Sequence, residues 1–212
     1  MDDNRLFRYT ETVTSDDKYT LRKEREEDKQ VYFDLYKETS ILAEKMPPDM
    51  FQDFFENQWE KRKQENSLYV SIFERTDLVY LGNIVLANLG SRTPELGIDV
   101  VKKHQRKGVA YDTLKMFIKW ASETYDDIEF FLVRIYSDNL ASLNLFQKLG
   151  AVKIGEEPSE YQIVLNQFKE HLEKEEYEKV KKKNPDMEDI AGRRYIARYK
   201  LEYQIKKLEK ET

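Results

Sequence analysis

Residues 95–113, ELGIDVVKKHQRKGVAYDT, hold the reading on which the fold turns. A strand over about 95–101 runs into a basic, polar loop, and a helix opens at Gly108. This arrangement makes an anion site. The first amide N–H groups of a helix have no partner inside it, and the helix dipole favours negative charge at that end. Gly108 lets backbone approach an oxyanion without a Cβ in the way. Ala110 keeps the next turn small, and Lys102, Lys103, Arg106 and Lys107 add positive potential. The competing reading is an ordinary strand–loop–helix connection with a solvated basic loop. Neither the dinucleotide fingerprint G-x-G-x-x-G nor the P-loop pattern is present.

Working outward, residues 108–125 carry Leu114, Phe117, Ile118 and Ala121 at i, i+3, i+4 and i+7, the stripe of an amphipathic helix. The apolar run FFLVRIY at 130–136 predicts a strand buried on both faces. A helix follows from about 139 to 149, stopped by Gly150, and then a short strand at 151–155. Upstream, YTLRKE at 19–24 alternates as a half-buried strand does. One helical segment follows it up to Pro47 and Pro48, and a second covers about 49–65. Strands are expected at 68–74 and 79–87. A strand–helix–strand unit over 95–136 implies a right-handed parallel crossover. Residues 160–183 read as one amphipathic helix with Tyr161, Val164, Leu165, Phe168 and Leu172 on one face. Residues 194–203 alternate as a last strand. The expected class is α+β, a mixed and mostly antiparallel sheet flanked by helices. It forms a single domain over 1–212 with an inserted helical segment at about 160–193.

Composition narrows the function. Of 212 residues, 40% are hydrophobic and 36% charged, with a net charge of -5, so phosphate-rich nucleic acid is not the expected partner. There are no cysteines, so acyl transfer cannot pass through a cysteinyl thioester and no thiolate metal site exists. His104 and His171 are the only histidines, and no metal site is expected. No apolar run reaches the roughly 20 residues that span a bilayer, and the acidic N-terminus lacks a signal-peptide core. The expectation is a soluble, cytoplasmic protein.

QRKGVA at 105–110 matches the Q/R-x-x-G-x-G/A pattern of the GNAT (GCN5-related N-acetyltransferase) superfamily. YSDNLASLNLFQKLGAVKIGE at 136–156 resembles the N-x-x-S motif and following helix of the same proteins, and YTLRKEREED resembles their opening strand and helix. The resemblance covers roughly residues 18–156 and resumes at the last strand. It lies nearest the branch that acetylates ribosomal-protein N-termini, polyamines and similar amines. It implies a GNAT-like acyl-CoA N-acyltransferase fold, with an extra helix before the last strand. The implied activity is transfer of an acetyl group from acetyl-CoA directly to a primary amine of a small molecule or peptide. A CoA-binding regulatory module with weak or no catalysis is the alternative, and a homodimer is a further possibility. An interaction protein whose charged 160–190 region is the working part is another.

The resemblance places Ile98, Asp99 and Val100 along the pantetheine arm through backbone groups. Gln105, Arg106, Lys107, Gly108, Val109 and Ala110 then hold the pyrophosphate. Asn139 would contact the pantetheine or the helix entrance, with plain helix capping as its other reading. The position where many relatives carry a proton-donating tyrosine holds Phe146. Ser142, four residues earlier on the same helical face, is the substitute acid, or a small packing residue. Glu95 would take a proton from the incoming ammonium, or is a solvated strand-end charge. Tyr136 and Tyr161 are further groove candidates with packing as the simpler reading. Glu38, Glu44, Asp49 and Asp53 are compatible with a cationic acceptor.

Overall fold

The computed structural model describes residues 12–40, 43, 46–63, 66–188 and 195–202. Two compact units divide the chain, the first closing at Phe131 and the second formed by Leu132–Glu202. The class is α+β, as the sequence implies.

In the first unit, β1 (Thr12–Ser15), β2 (Tyr19–Lys23), β3 (Ser67–Glu74), β4 (Tyr80–Ala87) and β5 (Glu95–Val100) lie side by side in chain order, each antiparallel to the next. β1 is an element that the sequence pattern did not mark; it is short, and its TVTS carries a single buried residue, Val13. Strand alternation sorts the sheet into two unlike faces. Leu21, Val70, Ile72, Ile84, Leu86 and Leu96 are almost completely buried on one of them. The helix α3 (Val109–Thr124) packs along β1, β2 and β5. It buries Leu114, Phe117, Ile118 and Ala121, the stripe that the sequence marks, and each large side chain contributes about 1.5–3 kcal/mol. The helix ends where Tyr125 turns extended, its N–H still bonded to the Ala121 carbonyl.

The other face carries α1 (Lys29–Thr39) and α2 (Pro48–Arg62). Pro48 opens α2 at a position where its missing N–H costs nothing. Tyr32, Leu35, Phe55, Trp59 and Tyr80 form a buried cluster between them and the sheet, with the Phe33 and Phe55 rings edge to face at 4.8 Å. Across the middle of this face runs a polar row set by the register: Arg22 opposite Ser71, Ser71 opposite Asn83, Asn83 opposite Asp99. Asp28, in the 3-10 turn Glu26–Asp28 before α1, anchors one end of the row. Its carboxylate accepts from both terminal nitrogens of Arg22 (2.9 and 2.7 Å), from the Ser71 hydroxyl (2.8 Å) and from the Arg25 amide (3.0 Å).

The second unit contains all but the first residue of β6 (Phe131–Tyr136), and α4 (Leu140–Lys148), β7 (Val152–Pro158) and β8 (Tyr195–Leu201), with β8 between β6 and β7 and antiparallel to β7. β6 is not buried on both faces. Phe131, Val133 and Ile135 are buried, whereas Arg134 is exposed and ion-paired with Glu157. The single helix expected over 160–183 is two, α5 (Glu160–His171) and α6 (Lys174–Lys183), separated by an extended Glu173. Glu175 and Glu176 sit in the first turn of α6, where the dipole favours acidic side chains, so this charged run starts a new helix readily. Ser159 and Gln162 cap α5 reciprocally. Glu188 ties the pair together: it accepts from the Tyr177 hydroxyl at 2.7 Å and pairs with Lys181 at 2.6 Å and Lys169 at 3.7 Å. These partners, Lys181 first, hold its carboxyl down at about 2. Leu165 is buried and α5 packs on β7, while Ile163 is exposed. The side chains of Tyr161, Val164 and Phe168 lie outside what the structure describes, as do Ile41, Leu42 and Glu44.

Candidate active site

β5 delivers the chain into the basic loop. After Val100, residues Lys102–His104 form a 3-10 turn, and Arg106 and Gly108 then both take left-handed backbone angles, φ 61° and 88°. Gly108 is the N-cap of α3, and its carbonyl accepts the first helical bond, from Asp112 N–H at 3.0 Å. The amides of Val109, Ala110 and Tyr111 precede that bond and point out of the helix end. A Cβ at Gly108 would be in ordinary contact with the Asp112 carboxylate at 3.6 Å, but the left-handed φ of 88° strains any residue with a side chain there. Lys102, Lys103, Arg106 and Lys107 are exposed around it, while Val109 and Thr113 are buried and hold the first turn, Thr113 donating to the Val109 carbonyl at 2.7 Å. Cationic side chains and outward amides beside a bare backbone suit a polyanion such as a pyrophosphate.

The loop is braced from both sides. Gln105 Nε2 donates to the Val100 carbonyl at 2.9 Å, and the Lys102 amide donates to Glu38 of α1 at 3.0 Å. Glu38, noted from sequence as a hint of a cationic acceptor, is thus a loop anchor; Asp49 and Asp53 are exposed on α2. His104 belongs to the same turn. Its Nε2 is buried without a hydrogen-bond partner among the described residues, and burial, then Lys103 and Lys107, holds its pKa below the ordinary imidazole value.

On β5, Glu95, Gly97 and Asp99 share the face that carries the polar row, and Leu96, Ile98 and Val100 share the other. Glu95 is half-buried at the start of the strand, roughly 13 Å from Asp99 along it. Gly97 leaves no side chain between them, and a Cβ there would meet Val85 at 2.9 Å. Solvent reaches Asp99, but protein surrounds it closely enough that burial raises its carboxyl pKa, with Arg62 opposing.

Asn139 and Ser142 come together at the start of α4. Asn139 Oδ1 accepts the Ser142 amide at 3.1 Å, so its side-chain oxygen caps the helix. Ser142 is half-buried, Tyr136 is half-buried, and Phe146 is buried at 3% exposure.

A group that sequence reading missed lies at the far end of β3. Arg62 closes on Glu24 through two nitrogens, at 3.2 and 2.6 Å, with its guanidinium 3.9 Å from the Tyr32 ring and 3.7 Å from the Tyr69 ring. Burial raises Glu24 to about 6 despite Arg62. A cavity of about 620 Å³ opens there, lined by Glu24, Arg25, Trp59, Arg62, Lys63 and Tyr69 among others. It lies at the opposite end of the strands from the basic loop, and its charges largely satisfy one another: Arg25 pairs with Glu27, and Lys63 with Glu26 and Glu60. No local sequence signal pairs residues thirty-eight positions apart.

The loop, its preceding strand and the α1–α2 layer describe an acyl-CoA-dependent N-acetyltransferase. Residues 18–152 match the family model of the acetyltransferase (GNAT) domain, and the chain belongs to that family. Among solved structures it is similar to spermidine/spermine N-acetyltransferase SpeG from Vibrio cholerae in complex with manganese ions. That match has 17% identity, a TM-score of 0.59, and covers 92% of this chain and 98% of that one. A dodecameric structure of spermidine N-acetyltransferase from the same organism, in an intermediate state, aligns at 17% identity and TM-score 0.58, over 87% and 93%. A domain from Methanocaldococcus jannaschii aligns at 16% and 0.58, over 88% and 100%. At these identities the likeness is one of fold. A search of curated proteins gave no match. Among the described residues no helix is long and apolar enough to cross a membrane.

Proposed function

We propose that this protein transfers the acetyl group of acetyl-CoA directly to a primary amine of a small molecule or peptide. The observation that carries the reading is the Gln105–Ala110 cradle at the end of β5, with two left-handed residues and a bare-backbone N-cap inside the family-matched segment. Gln105 to Ala110 would hold the pyrophosphate, and Ile98, Asp99 and Val100 the pantetheine arm through backbone groups. Asn139 would assist at the entrance to α4, where its Nδ2 is not used by the cap. Acetyl-CoA supplies the activated thioester. A backbone N–H near Val100 would stabilise the oxyanion formed on attack. Ser142 is the residue assigned to the departing thiolate, because Phe146 has no proton to give.

The test is CoA release with acetyl-CoA and a panel of primary amines that includes spermidine, a short diamine and a peptide with a free N-terminus. Spermidine is included because the structural neighbours are named for it. Turnover with at least one amine is expected. Acetyl-CoA binding without turnover on any amine would instead favour the non-catalytic CoA-binding module, the reading that Phe146 supports.

A further inference from the structure

The polar row that crosses the first unit ends on Asp99, and its two ends are treated differently. At one end Asp28 is saturated, with Arg22, Ser71 and the Arg25 amide all donating to it. At the other, the Asp99 carboxylate has no hydrogen bond or ion pair among the described residues. Solvent reaches it, and its neighbour on the same face, Gly97, carries no side chain, the Val85 side chain packing against that position. The charged and titratable groups that act on it are Arg62 from α2 and Tyr32 from α1. Arg62 is already engaged by Glu24 and stacked between Tyr32 and Tyr69, so it cannot swing over to neutralise Asp99. A crowded carboxylate that solvent still reaches and that has no such partner favours an arriving cation or proton. It also stands on the strand whose end feeds the phosphate cradle.

We propose that the Asp99 side chain is the general base of the acetyl transfer and takes the proton from the acceptor's ammonium group. The proposal rests on the reading given under Proposed function and replaces Glu95 in that role. Glu95 stands four residues back along β5, at the strand end remote from the cradle, and has interactions of its own. In the reaction, Asp99 accepts one proton from R–NH3+, and the free amine attacks the thioester carbonyl. The C–N bond forms, the tetrahedral adduct collapses, and the C–S bond breaks with its electron pair on sulfur. The second nitrogen proton ends on the thiolate, giving the amide and CoA-SH, and Asp99 returns its proton to solvent. Burial raises the Asp99 carboxyl above its ordinary value, with Arg62 opposing, which makes it a better proton acceptor than a free carboxylate.

The experiment compares wild type, Asp99→Asn and Asp99→Glu, each with acetyl-CoA and the best amine of the panel. For wild type, kcat/KM should fall on the acid side with an apparent pKa above the ordinary carboxylate value. A carboxyl carbon signal titrating at the same pKa should be present in the NMR spectrum without ligands and absent in Asp99→Asn. Asp99→Asn should lose roughly a hundredfold in kcat/KM while keeping the acetyl-CoA-induced rise in Tm, and Asp99→Glu should recover part of the rate with the acid limb. Turnover of Asp99→Asn within twofold of wild type, with the acid limb unchanged, would overturn the proposal. Loss of the acetyl-CoA thermal shift in both variants would overturn it too, since the role would then be in folding or cofactor binding. A wild-type protein that turns over no amine would refute the parent reading instead.

Discussion

Gln105 donates its side-chain Nε2 to the carbonyl of Val100 at 2.9 Å, so the first residue of the glycine motif also closes the loop on the strand before it. The cradle is a tied loop, and its shape depends on that bond as well as on Gly108.

Acetyl-CoA should therefore raise the Tm of the wild-type protein, because a ligand bound only by the folded state stabilises it. Gly108→Asp should abolish the rise by setting a side chain and a negative charge in the cradle, and it should cost about 1–2 kcal/mol, since φ at this position is 88°. Gln105→Ala should reduce the rise without removing it. Equal shifts in all three proteins, measured by thermal denaturation with and without ligand, would remove the cradle assignment.

Glu24 should make the stability of the fold depend on pH in an unusual direction. Its folded-state pKa is raised from 4.5 to about 6, so the folded chain holds a proton that the unfolded chain has released. The contribution of Glu24 is most favourable below about 4.5 and declines as pH rises through about 6, by up to about 2 kcal/mol. Arg62→Met leaves the carboxylate without its partner and should cost about 3 kcal/mol at pH 7.5. The loss should be smaller at pH 5, where Glu24 is protonated. Urea denaturation at the two pH values checks this, and an equal loss at both would contradict it.

Asp28→Ala should be among the most destabilising changes in the first unit. It strands the Arg22 guanidinium, the Ser71 hydroxyl and the Arg25 amide beneath α1, at a cost of about 3–5 kcal/mol. Ser71→Ala removes one donor and leaves Asp28 with three bonds, so about 1 kcal/mol is expected. Chemical denaturation of both variants gives the comparison, and similar losses would mean that the network is not centred on Asp28.

Phe146→Tyr should not create a working acid. Phe146 is 3% exposed, so the new hydroxyl enters a packed position and costs about 1–3 kcal/mol without raising turnover. Ser142→Ala should slow the chemical step in single-turnover assays and leave acetyl-CoA affinity nearly unchanged. A silent Ser142→Ala would make Ser142 a packing residue.

The elements written in local pattern were legible in the sequence. The α3 stripe of Leu114, Phe117, Ile118 and Ala121 is buried as its spacing requires, and the basic loop ends at a glycine N-cap. β1 escaped notice because four residues give too short a pattern, and the 160–183 segment divided because helical periodicity survives a two-residue break. The alternation of β5 already put Glu95, Gly97 and Asp99 on one face, but not what faced them.

By itself, the sequence determined the α+β class, the family and the loop that suits a polyanion, because periodicity, caps and glycine geometry act over a few residues. Tertiary structure decided the rest. It joined Arg62 to Glu24 across thirty-eight residues, gave Glu38 to the loop, saturated Asp28 and left Asp99 without a hydrogen bond or ion pair among the described residues. Those outcomes depend on which strand lies beside which and on how much water remains around each charge. Coulomb attraction and desolvation act through space, and chain order does not encode that distance.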